Sequence, residues 1–130
     1  MASGILNCGT RGTPGACIKI SIVDDDENDL LLMARAVDQS PDLESAGSYR
    51  SGLEALKRIP SSTCEVVLMD VRMPGMSGIE ITKRLKHIRP ALFIFLISGF
   101  DDPHTAAQAR KAGADAYLTK PFSLAGSSRR

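Results

Sequence analysis

The sequence lacks most of what would tie a protein to a membrane or to a charged polymer. It has no charge imbalance: 16 Lys and Arg stand against 15 Asp and Glu, a formal net charge of +1. No global field is therefore available to gather nucleic acid or an acidic surface. It has no long apolar run. The longest, Ala91-Leu92-Phe93-Ile94-Phe95-Leu96-Ile97, falls far short of the roughly 20 residues of a membrane-spanning helix. The stretch Met1 to Ala16 has Arg11 as its one charge and no extended apolar core, which argues against a signal peptide. Residues 1–17 are read as a disordered leader or an expression remnant. Cys8, Cys17 and Cys64 are odd in number and lack CxxC spacing, so free thiols in a reducing cytoplasm are expected. Internal repeats are absent, and so is a basic recognition helix that would read DNA.

What remains is 130 residues, 43% hydrophobic and 24% charged, enough for one globular domain with a proper core. Ile18-Lys19-Ile20-Ser21-Ile22-Val23 alternates and is rich in β-branched residues, the mark of a strand. Asn28 to Gln39 carries Leu30, Leu31, Ala34 and Val37 at helical spacing, and Pro41 closes it. Leu43 to Ala46 reads as a short strand. Ser51-Gly52-Leu53-Glu54 is a capping box opening a helix through about Ile59. Val66-Val67-Leu68-Met69 reads as a strand buried on both faces, running into Asp70 and a Pro74-Gly75 turn. Gly78 to Ile88 is helical, with Ile79, Leu85 and Ile88 inward. Leu92 to Ile97 is a second fully buried strand, ending at Ser98-Gly99. Asp101-Asp102-Pro103 opens an Ala-rich helix that stops at Gly113. Ala116 to Thr119 is a fifth strand, ending at Lys120-Pro121. The order is βα repeated, with crossovers long enough for parallel pairing: an α/β, doubly wound sheet. After Pro121 only Phe122-Ser123-Leu124-Ala125 precedes Gly126-Ser127-Ser128, too little for a full last helix. Uncovered apolar surface on the last strands, and with it self-association or marginal stability, is expected.

Four strands end in a polar residue, at Asp24-Asp25, Asp70, Ser98 and Lys120. In a parallel sheet those ends share one edge, where ligands of open α/β sheets bind. Three carboxylates placed together raise one another's pKa or recruit a cation. Oxygen ligands with several waters suit Mg²⁺. An Asp beside Mg²⁺, a Lys and a hydroxyl is equipped for phosphoryl transfer, the carboxylate attacking while metal and Lys neutralise the phosphoryl oxygens.

The chain resembles the receiver domains of two-component response regulators. The resemblance is carried by Ile22-Val23-Asp24-Asp25-Asp26, Leu68-Met69-Asp70-Val71-Arg72-Met73-Pro74-Gly75, Leu96-Ile97-Ser98-Gly99 and Lys120-Pro121-Phe122, in order at strand ends. It implies a flavodoxin-like doubly wound parallel five-stranded sheet of order 2-1-3-4-5, its last helix truncated or absent. The receiver would occupy 18–122, with 123–130 a short tail. It implies Asp70 as the phosphoacceptor, served by a sensor histidine kinase or phosphotransfer protein, and Lys120 and Ser98 as its catalytic partners. Mg²⁺ would be held by Asp25, Asp70 and the backbone carbonyl of Arg72, with Asp24 acting through water. Ser98 and Tyr117 would be the switch pair, and the Lys120–Pro121 peptide would be cis.

The resemblance further implies a cytoplasmic signalling domain rather than an enzyme, one that assists its own phosphorylation and dephosphorylation, with a homodimer possible. Pro41-Asp42-Leu43-Glu44 and Phe100-Asp101-Asp102 resemble receivers of LuxR-type transcription factors, so DNA would be reached only through an output domain outside this chain. A stand-alone receiver in a phosphorelay is the variant. The rival of another class is a haloacid-dehalogenase-type phosphotransferase with Asp24 as nucleophile, its DxD at Asp24–Asp26 but Asn28 in the Thr/Val place. A flavin module is disfavoured, because carboxylates stand where a phosphate cradle is needed. Taken singly, these residues have plainer readings. Asp26 suits a helix cap, and Lys83, Arg84, Lys86 and Arg89 suit a solvated helix face. His87 and His104 suit the surface, and Met69, Met73 and Met76 suit packing.

Overall fold

A computed structural model describes residues 17–99 and 102–119. Residues 1–16 of the leader, Phe100-Asp101, Lys120-Pro121-Phe122 with its expected cis peptide, and the tail with its expected truncated helix lie outside the described residues, while Cys17, assigned to the leader, is described and buried. The elements are β1 (Ile18–Val23), α1 (Glu27–Gln39), β2 (Leu43–Tyr49), α2 (Gly52–Arg58), a 3₁₀ turn (Ile59–Ser61), β3 (Val66–Asp70), α3 (Gly78–Ile88), β4 (Phe93–Ser98), α4 (Pro103–Ala112) and β5 (Ala116–Thr119). All five strands are parallel, in the order β2-β1-β3-β4-β5. The expected sheet is the one found.

Each start signal has a physical counterpart. Asp26 caps α1, its carboxylate accepting from the amides of Asn28 (2.9 Å) and Asp29 (3.4 Å). Ser51 Oγ accepts from the Glu54 amide at 3.1 Å, and Asp102 caps α4 ahead of Pro103. Such caps satisfy helix amides that have no partner within the helix. β2 runs three residues past its expected end. Its Gly and Ser have little strand propensity, but β1 supplies a ladder from Ile18↔Leu43 to Val23↔Tyr49, and tertiary pairing overrides propensity.

The sheet separates two cores. On one face Val67, Met69, Ile94 and Leu96 meet Ala55 of α2, Ile81 and Leu85 of α3, and Ala109 of α4. On the other, Ile20, Ile22, Leu68 and Ile97 meet Leu30, Met33 and Val37 of α1. Alternation along β3 and β4 thus fills both sides, as a parallel sheet requires. Leu31 is 57% exposed and Ile88 51% exposed, so neither is the inward residue expected. Met33 takes the inner place in α1, and Ile88 overhangs the last turn of α3 while Ile81 and Thr82 turn inward. Phe93, at the start of β4, is 49% exposed, its ring 5.5 Å from that of Phe95. Met69 and Met73 are buried and Met76 packs beside them. Cys64 is free and buried, but Cys17 is disulfide-bonded, which corrects the expectation of free thiols there.

Lys86 and Arg89 also depart from the solvated face assigned to them. Lys86 Nζ reaches Asp115 at 2.9 Å and the Leu92 carbonyl at 2.7 Å. Arg89 donates to the carbonyls of Ile59 (3.0 Å), Ser62 (3.2 Å) and Cys64 (2.8 Å). Both clamp the N-terminal edge of the sheet.

Candidate functional site

The opposite, C-terminal edge gathers the polar strand ends. Asp24 follows β1 directly and is fully buried. Its amide donates to the Tyr49 carbonyl at 3.1 Å, and its Oδ1 accepts from the Asp26 amide at 2.9 Å. Two main-chain bonds therefore fix it before α1 begins. Asp25, the next residue, is exposed. On the neighbouring strand, Val23 pairs with Met69, so Asp24 and Asp70 stand one step further along adjacent strands. Asp70 is 7% exposed. Carboxylate oxygens of Asp24, Asp25 and Asp70 all lie within 4.8 Å of one another.

The β3–α3 loop shapes the rest. Val71 donates its amide to the Ile97 carbonyl (2.9 Å) and accepts at its own carbonyl from the Gly78 amide (2.8 Å). Arg72 points into an exposed stretch, Met73 is buried, and Gly75 turns the chain at φ +83°, a conformation that favours glycine. A cleft of about 550 Å³ beside Asp25 is lined by Arg72, Pro74, Ser77, Thr105 and Gln108 among others. Ser98 is 3% exposed and ends β4 opposite Thr119. Tyr117 sits opposite Leu96 on β5, half-buried against the core that holds α2, α3 and α4. At the start of α4, the Thr105 hydroxyl donates to Asp102 at 2.6 Å. That bond, aided by the His104 amide, holds the Asp102 carboxyl below its ordinary range.

Three carboxylates converging from distant sequence positions form a hard-oxygen donor set. The exposure of Asp25 leaves water free to complete a cation's shell, so the residues fit a divalent ion of the Mg²⁺ type. The family follows from a match of residues 20–126 to the response regulator receiver domain.

The chain is a response regulator receiver domain.

As a receiver it is a signalling domain of the two-component systems, which implies phosphorylation-dependent signalling. It is 35% identical over 107 residues to NtrC, a DNA-binding transcriptional regulator of Escherichia coli K12, across 79% of this chain and 22% of that protein. The receiver therefore spans about a fifth of the length of that relative. The beryllofluoride-activated DrrB receiver domain superposes with a TM-score of 0.70 at 32% identity, covering 82% of this chain and 86% of DrrB's. A response regulator of Burkholderia pseudomallei, solved with a phosphorylated aspartic acid, a calcium ion and citrate, superposes at 0.75 with 27% identity, covering 84% and 63%.

Of the site residues read from sequence, the receiver brings Asp24, Asp25 and Asp70 together, sets Ser98 on the same edge, and hangs Arg72 over the adjacent cleft. Lys120 lies outside the described residues. His87 and His104 are exposed, as expected. Thr105, Gln108 and Gly78 were not singled out by sequence. Thr105 and Gln108 follow Asp102 at three-residue steps along one helix face, the one signal that could have marked them. No described helix is long and apolar enough to cross a membrane.

Proposed function

We propose that Asp70 of this receiver accepts a phosphoryl group from a sensor histidine kinase or phosphotransfer protein. The observation that carries the reading is the gathering of three carboxylates within 4.8 Å at the ends of two adjacent strands. Asp70 attacks phosphorus in line. Its oxygen forms the new P–O bond as the P–N bond to the donor imidazole breaks, and the imidazole leaves with the electron pair. Asp25, Asp70 and the Arg72 carbonyl would hold Mg²⁺, with Asp24 acting through water. When bound, the ion supplies positive charge against the phosphoryl oxygens. Lys120 supplies a second positive charge. The Ser98 hydroxyl donates to the phosphoryl group once it is attached, and Tyr117 turns inward behind it. This biases the surface of α4 and β5 between two states.

The receiver occupies 18–122, resides in the cytoplasm, and assists its own phosphorylation and dephosphorylation. It acts on a transcriptional output domain, alone or as a homodimer. The phosphorylated aspartic acid and calcium ion of the Burkholderia regulator, and the DNA-binding function in NtrC's name, support these steps.

The test is labelling by acetyl phosphate with Mg²⁺, followed by mapping of the modified residue by mass spectrometry. Asp70 is expected to carry the label, and Asp70→Asn to abolish it with the circular-dichroism spectrum unchanged. Label on Asp24 would replace this reading with the haloacid-dehalogenase-type one.

A further inference from the structure

The Asp70 carbonyl is overlain by the first turn of α3. A Cβ built on Gly78 would collide with the Asp70 carbonyl oxygen and lie 3.1 Å from both the Asp70 carbonyl carbon and Leu96 Cδ2. Gly78 is buried, and it is not among the glycines with positive φ, which among the described residues are Gly47, Gly75 and Gly113. Its requirement is therefore for space, not for an unusual backbone angle. Alanine is the better helix former, so any loss from Gly78→Ala must come from the contacts with the Asp70 main chain and Leu96 Cδ2. The collision is with main chain, which cannot rotate aside as a side chain can.

The same turn is wired to the switch strand. The Ile97 carbonyl accepts from the Val71 amide (2.9 Å), the Val71 carbonyl from the Gly78 amide (2.8 Å), and the Gly78 carbonyl from Thr82 Oγ1 (2.8 Å). Val71 follows Asp70 directly, and Ile97 precedes Ser98. Thr82 is fully buried.

We propose that Gly78 is a positioning residue for phosphoryl acceptance, seating α3 on the main chain of Asp70 and, through Val71 and Ile97, tying the place of Asp70 to that of Ser98. This rests on the reading of Asp70 as the acceptor. Phosphoryl transfer depends almost wholly on placement, and a displacement near 1 Å costs about a hundredfold in rate.

The experiment follows acetyl phosphate labelling, calorimetric Mg²⁺ affinity and the thermal midpoint in the intact chain. Gly78→Ala is expected to remain folded, to label about tenfold or more slowly, and to bind Mg²⁺ more weakly, because Asp70 moves relative to Asp24 and Asp25. Adding Leu96→Ala is expected not to restore either value, since it relieves only the side-chain contact. A folded Gly78→Ala with wild-type labelling and Mg²⁺ affinity overturns the proposal, as does full recovery by Leu96→Ala. Should Gly78→Ala fail to fold, Thr82→Val carries the test. It removes the bond to the Gly78 carbonyl without added bulk and is expected to slow labelling roughly two- to threefold, and an unchanged rate overturns the proposal. Failure of the wild-type chain to label on Asp70 sinks the reading of the acceptor instead, and is seen before any variant is made.

Discussion

The two edges of the sheet are both polar and are built in opposite ways. At the N-terminal edge every charge noted is met by a partner. Lys86 has Asp115 and the Leu92 carbonyl, Asp115 also accepts the Ile94 amide at 2.9 Å, and Arg89 has three carbonyls. At the C-terminal edge the carboxylates of Asp24, Asp25 and Asp70 are gathered within 4.8 Å of one another. The first arrangement spends its hydrogen bonds on stability. The second brings like charges close, an arrangement that suits the cation and phosphoryl group proposed for it. Stability should therefore respond at one edge and chemistry at the other.

The largest expected effect is at Arg89. Arg89→Ala takes a charged donor from three carbonyls, of which that of Ile59 keeps the Ser62 amide and hydroxyl, and urea unfolding should show a loss of about 2 kcal/mol, with acetyl phosphate labelling per folded molecule unchanged. A labelling defect would break the separation of the edges. Next comes Asp25→Asn, which removes a like charge from the cluster. Its thermal midpoint without Mg²⁺ should equal or exceed that of the wild type, while Mg²⁺ affinity falls about tenfold or more, roughly 1.4 kcal/mol. Smaller again is the Lys86–Asp115 pair, whose side chains are 20% and 28% exposed. A double-mutant cycle with Lys86→Met and Asp115→Asn should give a coupling of about 1 kcal/mol.

The smallest effect is at Asp102, and it sharpens the comparison because it places a purely structural carboxylate at the chemical edge. The Thr105 hydroxyl lowers its pKa in the folded state. The stability this contributes is present above the ordinary value of 3.8 and is lost as the pH falls through the lowered one. The gap in thermal midpoint between the wild type and Thr105→Val should therefore be open at pH 6 and close on acidification below 3.8. A gap that widens in acid would contradict it.

The chemical edge was the more legible of the two in sequence. Asp24, Asp70 and Ser98 each end a run of β-branched or apolar residues, and parallel pairing sends such ends to one edge whatever their separation. The caps at Asp26, Ser51 and Asp102 were legible for a similarly local reason, since each bonds an amide two or three residues on. Arg89 was not. Its acceptors lie about 25 to 30 residues back in the chain, and a carbonyl leaves no mark in a sequence. Lys86 failed for the same reason, its carboxylate partner being 29 positions on. Gly78 was hidden differently: it looked like an ordinary helix start, and only the overlying Asp70 carbonyl shows why a side chain is excluded. Leu31 and Met33 show the limit of periodicity, which finds the apolar stripe of a helix but not which of its members the sheet will cover.

The strand order also governs when the acceptor site comes into being during folding. No two neighbours in the sheet are joined by a tight turn. The nearest pairing across β1 and β3, Ile20 with Val66, closes a loop of more than forty residues, and such non-local closure is slow. Asp24 and Asp70 meet only when that loop closes, with α1, β2 and α2 already in the chain between them. A ribosome must therefore release everything through β3 before the carboxylates can form a cluster, and a nascent chain halted in α2 has yet to receive the proposed acceptor.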